Sequence, residues 1–226
     1  HAPYLLHSDA VRSVVATTED GVAGGLIVKD YRLAEQVPVS MIGFVCVRPE
    51  NRGQNLSRLL LRTAIDDARA RGTAGLVLWT GTPKVYAAVG FQPDPRDVFF
   101  QTGPLKGLSS PRVATGALDL APRGLPAFAQ GAVRLATSTA SATLLNTGKG
   151  PTLAEWSGSD KDVIDLLSVA VPGPLWVNAL SSDSLPSAME ECCGPHLDAA
   201  KSKRLALSLG RLSIMDFPEI RILDRI

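Results

Sequence analysis

The chain has 226 residues, 45% of them apolar, with 20 glycines and 16 prolines, which allows one large core or two modest ones and much turn structure. Lys and Arg number 12 against 10 Asp and Glu over residues 1–110 and 11 against 12 over the rest, so neither half is a field for a polyanion and nucleic acid is not expected as a main partner. Three cysteines, two of them adjacent at Cys192 and Cys193, make neither a disulfide framework nor a metal-ligand spacing; with no apolar run near the roughly 18 residues that span a bilayer and no basic-then-apolar start, they suggest a cytoplasmic protein without a membrane partner.

In chain order, "VRSVVAT" (11–17) and "VAGGLIV" (22–28) flank "TEDG", whose Asp20-Gly21 pair is a hairpin turn signal, so two antiparallel strands are expected. "VPVSMIGFVCV" (37–47) is longer and almost wholly apolar, and predicts a central strand buried on both faces. Cys46 lies inside this run and reads as core filler, not as a nucleophile. Leu56, Leu60, Ala64 and Ala68 then recur every four residues, Leu61 and Ile65 widen the stripe, and Gly72 closes it as an amphipathic helix. "GLVLWTG" (75–81) returns as a strand. A short helix follows with Thr82 as N-cap and Pro83 in the first turn, ending at Gly90, and Phe91 opens another strand.

Residues 104–130 are rich in Pro, Gly and Ala without a period, so they read as a linker or a loosely patterned connection between domains at 1–103 and 131–226. Beyond them, "ATLLNTGKGPTLAEW" (142–156) is a hairpin about Asn146-Thr147-Gly148, "DKDVIDLLSVAV" (160–171) a helix, "PLWVNAL" (174–180) a strand and "LPSAMEECCG" (185–194) a short helix. This order repeats that of residues 56–90, either as an internal duplication or as an accident of order.

The stretch "RPENRGQNLSRLLL" (48–61) takes a strand end through a turn into a helix. Successive backbone N–H groups in such a turn, at the positive end of a helix dipole, suit phosphate oxygens. Asn55 can hold a positive φ better than other non-glycine residues, and Ser57 is small enough to sit under a phosphate while adding a hydroxyl donor. The blander reading is a helix N-terminus with a polar entry.

"VCVRPENRGQNLSRLLL" (45–61) resembles the cofactor signature V-x-P-E-x-R-G-x-G-x-G/A/S of the GNAT superfamily of acyl-CoA-dependent N-acyltransferases. "VLWTGTPKVYAAVGFQPD" (77–94) is similar to the later motif of that family, in the same order and spacing, and "APYLL" (2–6) more loosely resembles the enhanced-intracellular-survival acetyltransferases. Asn55 departs from the signature by standing where its central glycine is usual, and the strand and helices that normally precede the hairpin are not in this sequence.

The resemblance implies an α/β fold: a mixed, mostly antiparallel sheet with flanking helices, plus a second, smaller α/β half that would be a degenerate copy. It implies that acetyl-CoA lies with its pantetheine arm along the backbone of Val45, Cys46 and Val47. Its pyrophosphate would sit in the turn of Gly53, Gln54, Asn55, Leu56, Ser57 and Arg58, with Arg52 and Arg58 adding charge. Tyr86 would protonate the departing thiolate, its alternative being a half-buried aromatic with a wet hydroxyl. No general base stands out: Glu50 matches a loop position, Glu35 and Asp30 are candidates by neighbourhood alone, and Ile226 enters because a C-terminal carboxylate reaches the site in some survival-type relatives. His7 and His196 read as surface residues. Met189 stands in the second half where Tyr86 stands in the first, so that half would be catalytically silent and would complete the sheet, cover the acceptor cleft or make a homodimer contact. The expected activity is acetyl transfer from acetyl-CoA to a primary amine on a small molecule or protein, and the alternative is a non-catalytic acyl-CoA-binding or protein-interaction module.

Overall fold

Strands β1 (Val11–Thr18) and β2 (Gly21–Tyr31) form the expected hairpin, turned at Gly21 with φ +105°. β3 (Val39–Val47) adds antiparallel to β2, and helix α1 (Leu56–Ala70) lays Leu60, Leu61, Ala64, Ile65 and Ala68 into the core, the face that the four-residue recurrence marks. β4 (Gly75–Thr80) then runs parallel to β3, as a connection through a helix allows, and is followed by α2 (Pro83–Ala87) and the short β5 (Gln92–Pro93). The computed structural model describes residues 10–31, 37–118, 124–194, 197–198, 203–222 and 225. "APYLL", His7, Glu35, His196 and Ile226 lie outside the described residues.

The chain folds as two units, one of residues 3–95 with 201–219 and the other of residues 96–200 with 220–225. The expected boundary at 103/104 therefore moves, for a reason visible in the pairing. β6 (Asp97–Thr102) pairs along its whole length with β11 (Leu175–Leu180) of the second unit, whereas β13 (Lys203–Ser208), near the chain's end, pairs with β4 of the first. The expected 104–130 connection also carries structure. Leu105 is buried, the N–H groups of Leu108 and Ser109 donate to the Asp165 carboxylate at 2.6 and 3.1 Å, and β7 spans Ala114–Gly116.

In the second unit, β8 (Ala129–Ala136), β9 (Ser141–Thr147) and β10 (Gly150–Ser157) are antiparallel, α3 (Asp160–Ala170) follows, and β11 returns parallel to β10 before α4 (Leu185–Cys193) and β12 (Leu197–Asp198). The first sheet has the order β1-β2-β3-β4-β13-β5 and the second β7-β8-β9-β10-β11-β6-β12. Both are three antiparallel strands, a helix, a parallel strand and a short helix. Each then receives, beside its parallel strand, a strand from the other half of the sequence. The repeated element order is thus a repeated topology in which β6 and β13 have changed places.

Each unit has its own core, Leu26, Val28, Ile42, Leu76 and Leu205 meeting α1 in the first, and Leu144, Leu153, Val177 and Met189 meeting α3 in the second. β13 is held in the first sheet by more than its ladder. Arg204 pairs with Asp94 at 3.0 Å, both side chains fully buried, donates to the carbonyl of Pro218 at 2.8 Å and lies over the Trp79 ring at 5.8 Å. Among the described residues no helix is long and apolar enough to cross a membrane.

Candidate functional site

β3 changes character halfway along. Val39–Ile42 is buried on both faces as expected of a central strand, but Gly43–Val47 alternates between half-buried and exposed residues. The cause is a parting of strands: the β3–β4 ladder covers Val39–Met41 against Gly75–Val77 and goes no further. Backbone N–H and C=O groups of the outer half of β3 are thereby offered along one edge, as for an added strand. On the other edge the register with β2 shifts, so that Leu26 alone faces Phe44 and Val45, and Phe44 takes φ +54°. A bulky residue in that region is strained by about 1–3 kcal/mol and marks a bulge that re-aims the residues after it. Nothing in the apolar run signals this bulge.

The consequence corrects one expectation. Cys46 is exposed, not core filler, because the sheet that would have covered it has opened.

Beyond Val47 the chain makes a 3₁₀ turn at Pro49–Asn51, and two residues of left-handed backbone follow, Gly53 at φ +80° and Asn55 at φ +59°, ψ +17°. Asn55 is the N-cap of α1 and makes no side-chain capping bond, and the first turn of α1 holds no acidic residue. The free N–H groups and positive end of the helix therefore face outward undiluted. Nε of Arg52 donates to the Val47 carbonyl at 3.3 Å, which ties its guanidinium to the strand end beside that turn.

One groove in the first unit is lined by Val45, Cys46, Val47, Arg52, Ser57, Thr82, Val85 and Tyr86. Six of the sequence-based candidates thus meet on one surface. Gly53, Gln54, Asn55 and Leu56 form the turn between Arg52 and Ser57, while Arg58 is exposed on α1 outside the lining. Thr82 and Val85 were not anticipated as lining residues; their nearness in sequence to Tyr86 was the available signal. Tyr86 packs edge to face on Phe91, ring centroids 6.2 Å apart. Burial pushes its phenol above the usual value, a hydrogen bond with the Thr80 side chain opposing the shift, so it is a neutral acid at physiological pH.

The groove has the parts an acyl-CoA needs: a strand edge for an amide-bearing arm, a helix N-terminus with an arginine for a pyrophosphate, and a protonated phenol. Asp30 does not belong with it as a base. It lies opposite Ser40 near the start of β3 and accepts bonds from Arg12 at 2.6 and 2.9 Å, Ser40 at 2.7 Å and Arg71 at 3.0 Å. Burial would raise its pKa, but the bonds from Arg12 and Ser40 outweigh it and hold the carboxyl at about 2, too acidic to take a proton from an amine. Glu50 is exposed on the 3₁₀ turn, 3.9 Å from Arg48.

The corresponding region of the second unit lacks these features. The N-cap Ser159 accepts the Asp162 N–H at 3.2 Å, and Asp160 and Asp162 stand in the first turn of α3, so the helix end is already capped and surrounded by negative charge. Met189 is fully buried in the core. Among the described residues, that helix start is thus capped and acidic where α1 is open, and a buried methionine stands at the position of Tyr86.

The left-handed turn gives a direct test. Asn55→Gly is expected to leave acetyl-CoA affinity unchanged or improved, whereas Asn55→Val should weaken it by about tenfold or more, since a β-branched residue resists positive φ. Fluorescence or calorimetric titration of the two variants checks this, and wild-type affinity in the valine variant would remove Asn55 from the binding turn.

Residues 3–93 match the family model described as an acetyltransferase (GNAT) domain. No curated protein matches the chain. Among solved structures, it is similar to a GCN5-related N-acetyltransferase from Kribbella flavida, with TM-score 0.60 and 13% identity over 88% of this chain and 60% of that one. It is also similar to a tandem GNAT protein from the clavulanic acid biosynthesis pathway, with TM-score 0.57 and 11% identity over 91% of this chain and 85% of that one. Eis1 from Mycobacterium abscessus gives TM-score 0.56 and 11% identity over 91% of this chain and 65% of that one. At such identities the likeness is one of fold, and the chain spans about three-fifths of the length of the Kribbella flavida protein. The parted strands, the turn and the matched family model point the same way: residues 3–93 are similar to the acetyltransferase (GNAT) domain, and the chain shares the fold of these N-acetyltransferase structures.

Proposed function

We propose that the protein is an N-acetyltransferase that moves an acetyl group from acetyl-CoA directly to a primary amine, without a covalent enzyme intermediate. One observation carries this reading: the parted strand β3, the Arg52–Ser57 turn and the Tyr86 phenol all face one groove. Hydrogen bonds from the exposed edge of β3 would hold the pantetheine arm in line, and the turn with Arg52 would hold the pyrophosphate. The thioester then lies where the sheet opens, near Tyr86. Attack by the neutral amine forms the C–N bond and breaks the C–S bond; Tyr86 protonates the departing thiolate, the nitrogen sheds its extra proton to water, and the phenolate regains one from water. Cys46 is exposed and lines the same groove, and in the proposed direct transfer it takes no covalent part.

The acceptor is a small-molecule or protein amine. The test is release of coenzyme A thiol from acetyl-CoA with a panel of amines: polyamines, aminoglycosides, amino acids and lysine peptides. Thiol release that depends on one class supports the proposal and identifies the acceptor. A thermal shift with acetyl-CoA but no thiol release with any amine would favour a non-catalytic acyl-CoA-binding module.

A further inference from the structure

β2 carries two adjacent glycines where it backs the outer half of β3, Gly24 opposite Val47 and Gly25 opposite Cys46. Both sit between two irregularities: the β1–β2 register shifts at Ala16/Thr17, and the β2–β3 register shifts between Gly25 and Ile27. Glycine inside a strand marks a bulge or the close approach of another backbone. Here the approach is close on both sides, and each glycine meets a different neighbour. A Cβ on Gly24 would lie 2.7 Å from the Cys46 carbonyl oxygen and 3.3 Å from Cα and Cγ2 of Val47. A Cβ on Gly25 would lie 3.1 Å from the Val14 carbonyl oxygen on β1. The first contact is too short to stand, so β3 must move; the second asks β1 to give by a few tenths of an ångström.

The direction in which β3 must move follows from its bonds. The Arg48 N–H donates to the Ala23 carbonyl at 2.8 Å, which ties the end of β3 to β2. Backbone groups of successive residues point to opposite edges of a strand, so the N–H and C=O of Val47 face away from β2, in agreement with the bond from Arg52 to the Val47 carbonyl. On that side the ladder with β4 ends at Met41. A push from Gly24 therefore carries Cys46 and Val47 toward the groove that they line.

We propose that Gly24 is a positioning residue for the cofactor: by having no side chain it sets where the arm-binding edge of β3 stands, and so the width of the groove. The inference rests on the acyl-CoA reading of that groove. A side chain at position 24 shifts the backbone groups that would bond the pantetheine arm, and a misplacement of about 1 Å can cost about a hundredfold in an enzyme site. Because the outer half of β3 has left β4, the clash is relieved into the groove and the unit still folds.

Gly24→Ala should fold, and should weaken acetyl-CoA by about tenfold or more, the worth of two misaligned hydrogen bonds, while Gly25→Ala, which presses on β1, should weaken it by less than about threefold. Adenosine diphosphate keeps the pyrophosphate and lacks the arm, so Gly24→Ala should weaken it by less than about threefold as well. Calorimetric titration measures these affinities. Equal losses from the two glycine variants, equal losses for acetyl-CoA and adenosine diphosphate, or a Gly24→Ala protein that does not fold would each overturn the proposal, because the push would not then end at the arm-binding edge. A second arm needs no cofactor. Cys46 and Cys192 are both exposed, so dithionitrobenzoate reads β3 through the first and the second unit through the other, with Cys46→Ser identifying the Cys46 signal. Gly24→Ala should change the Cys46 rate by about threefold or more and leave that of Cys192 alone, while Gly25→Ala changes neither. If the wild type binds no acetyl-CoA, the acyl-CoA reading fails and the Cys46 rate decides alone: a change confined to Gly24→Ala upholds the placing of β3 by Gly24, and no change, or the same change in both variants, overturns it.

Discussion

If the proposed acetyl transfer holds, Tyr86→Phe is expected to lower turnover by about a hundredfold to ten-thousandfold, the usual contribution of a positioned proton donor, and to leave acetyl-CoA affinity close to wild type. The ring stays where Phe91 and the first core hold it, so the groove keeps its shape. What goes is the proton. A phenol is protonated at neutral pH, and burial shifts this one further in that direction, so in the proposed reaction it is ready to donate, and its loss should fall on the maximal rate and not on the Michaelis constant for acetyl-CoA. Steady-state kinetics with an accepted amine measures both constants. Wild-type turnover in the variant would mean that solvent protonates the thiolate and that Tyr86 is a packing residue.

The largest effect on stability is expected from Arg204→Ala. It removes the Arg204 side of a fully buried ion pair with Asp94, and breaking a buried pair in this way costs about 3–5 kcal/mol. It also removes the bond to Pro218 and the cover over Trp79. Replacing both charges, as Asp94→Asn with Arg204→Met, should recover most of the loss, since two neutral groups do not leave one half of a buried ion pair behind. Urea melts of the three proteins test the pair. A loss under about 1 kcal/mol for Arg204→Ala, the size of a surface ion pair, would show that β13 does not sit beside β4 and β5 as described. The pair matters for fold assignment because its partners are far apart in sequence, on either side of the second unit.

Much of the first unit was legible because its signals are local. Asp20-Gly21 marks a turn, four-residue recurrence marks α1, and the positive φ of Asn55 follows from which residues tolerate it. The exchange of β6 and β13 was not legible. "DVFFQT" and "KRLALS" both alternate as strands do, and alternation tells which face a residue takes but says nothing of which strand lies alongside. The boundary at 103/104 failed for that reason. Within the site, the sequence located the turn and Tyr86 but not the opening between β3 and β4. An apolar run reads as buried throughout, and Phe44 is among the last residues one would place at positive φ, so the exposure of Cys46 was hidden with it. Thr82 looked like a cap because it stands where caps stand. That its hydroxyl turns to Thr80 depends on the bend at Gly81, which no spacing rule describes.

The central claim is that the Arg52–Ser57 turn and the edge of β3 hold acetyl-CoA, and isothermal calorimetry tests it most directly. Acetyl-CoA should bind at one site per chain, because α1 presents an uncapped N-terminus without acidic neighbours while α3 is capped by Ser159 and flanked by Asp160 and Asp162. Arg52→Glu should weaken that binding by about a hundredfold, as loss of a charge-assisted bond and gain of repulsion together imply, and Lys161→Glu on α3 should leave it unchanged. Two equivalent sites per chain, or equal losses from the two charge reversals, would contradict the account.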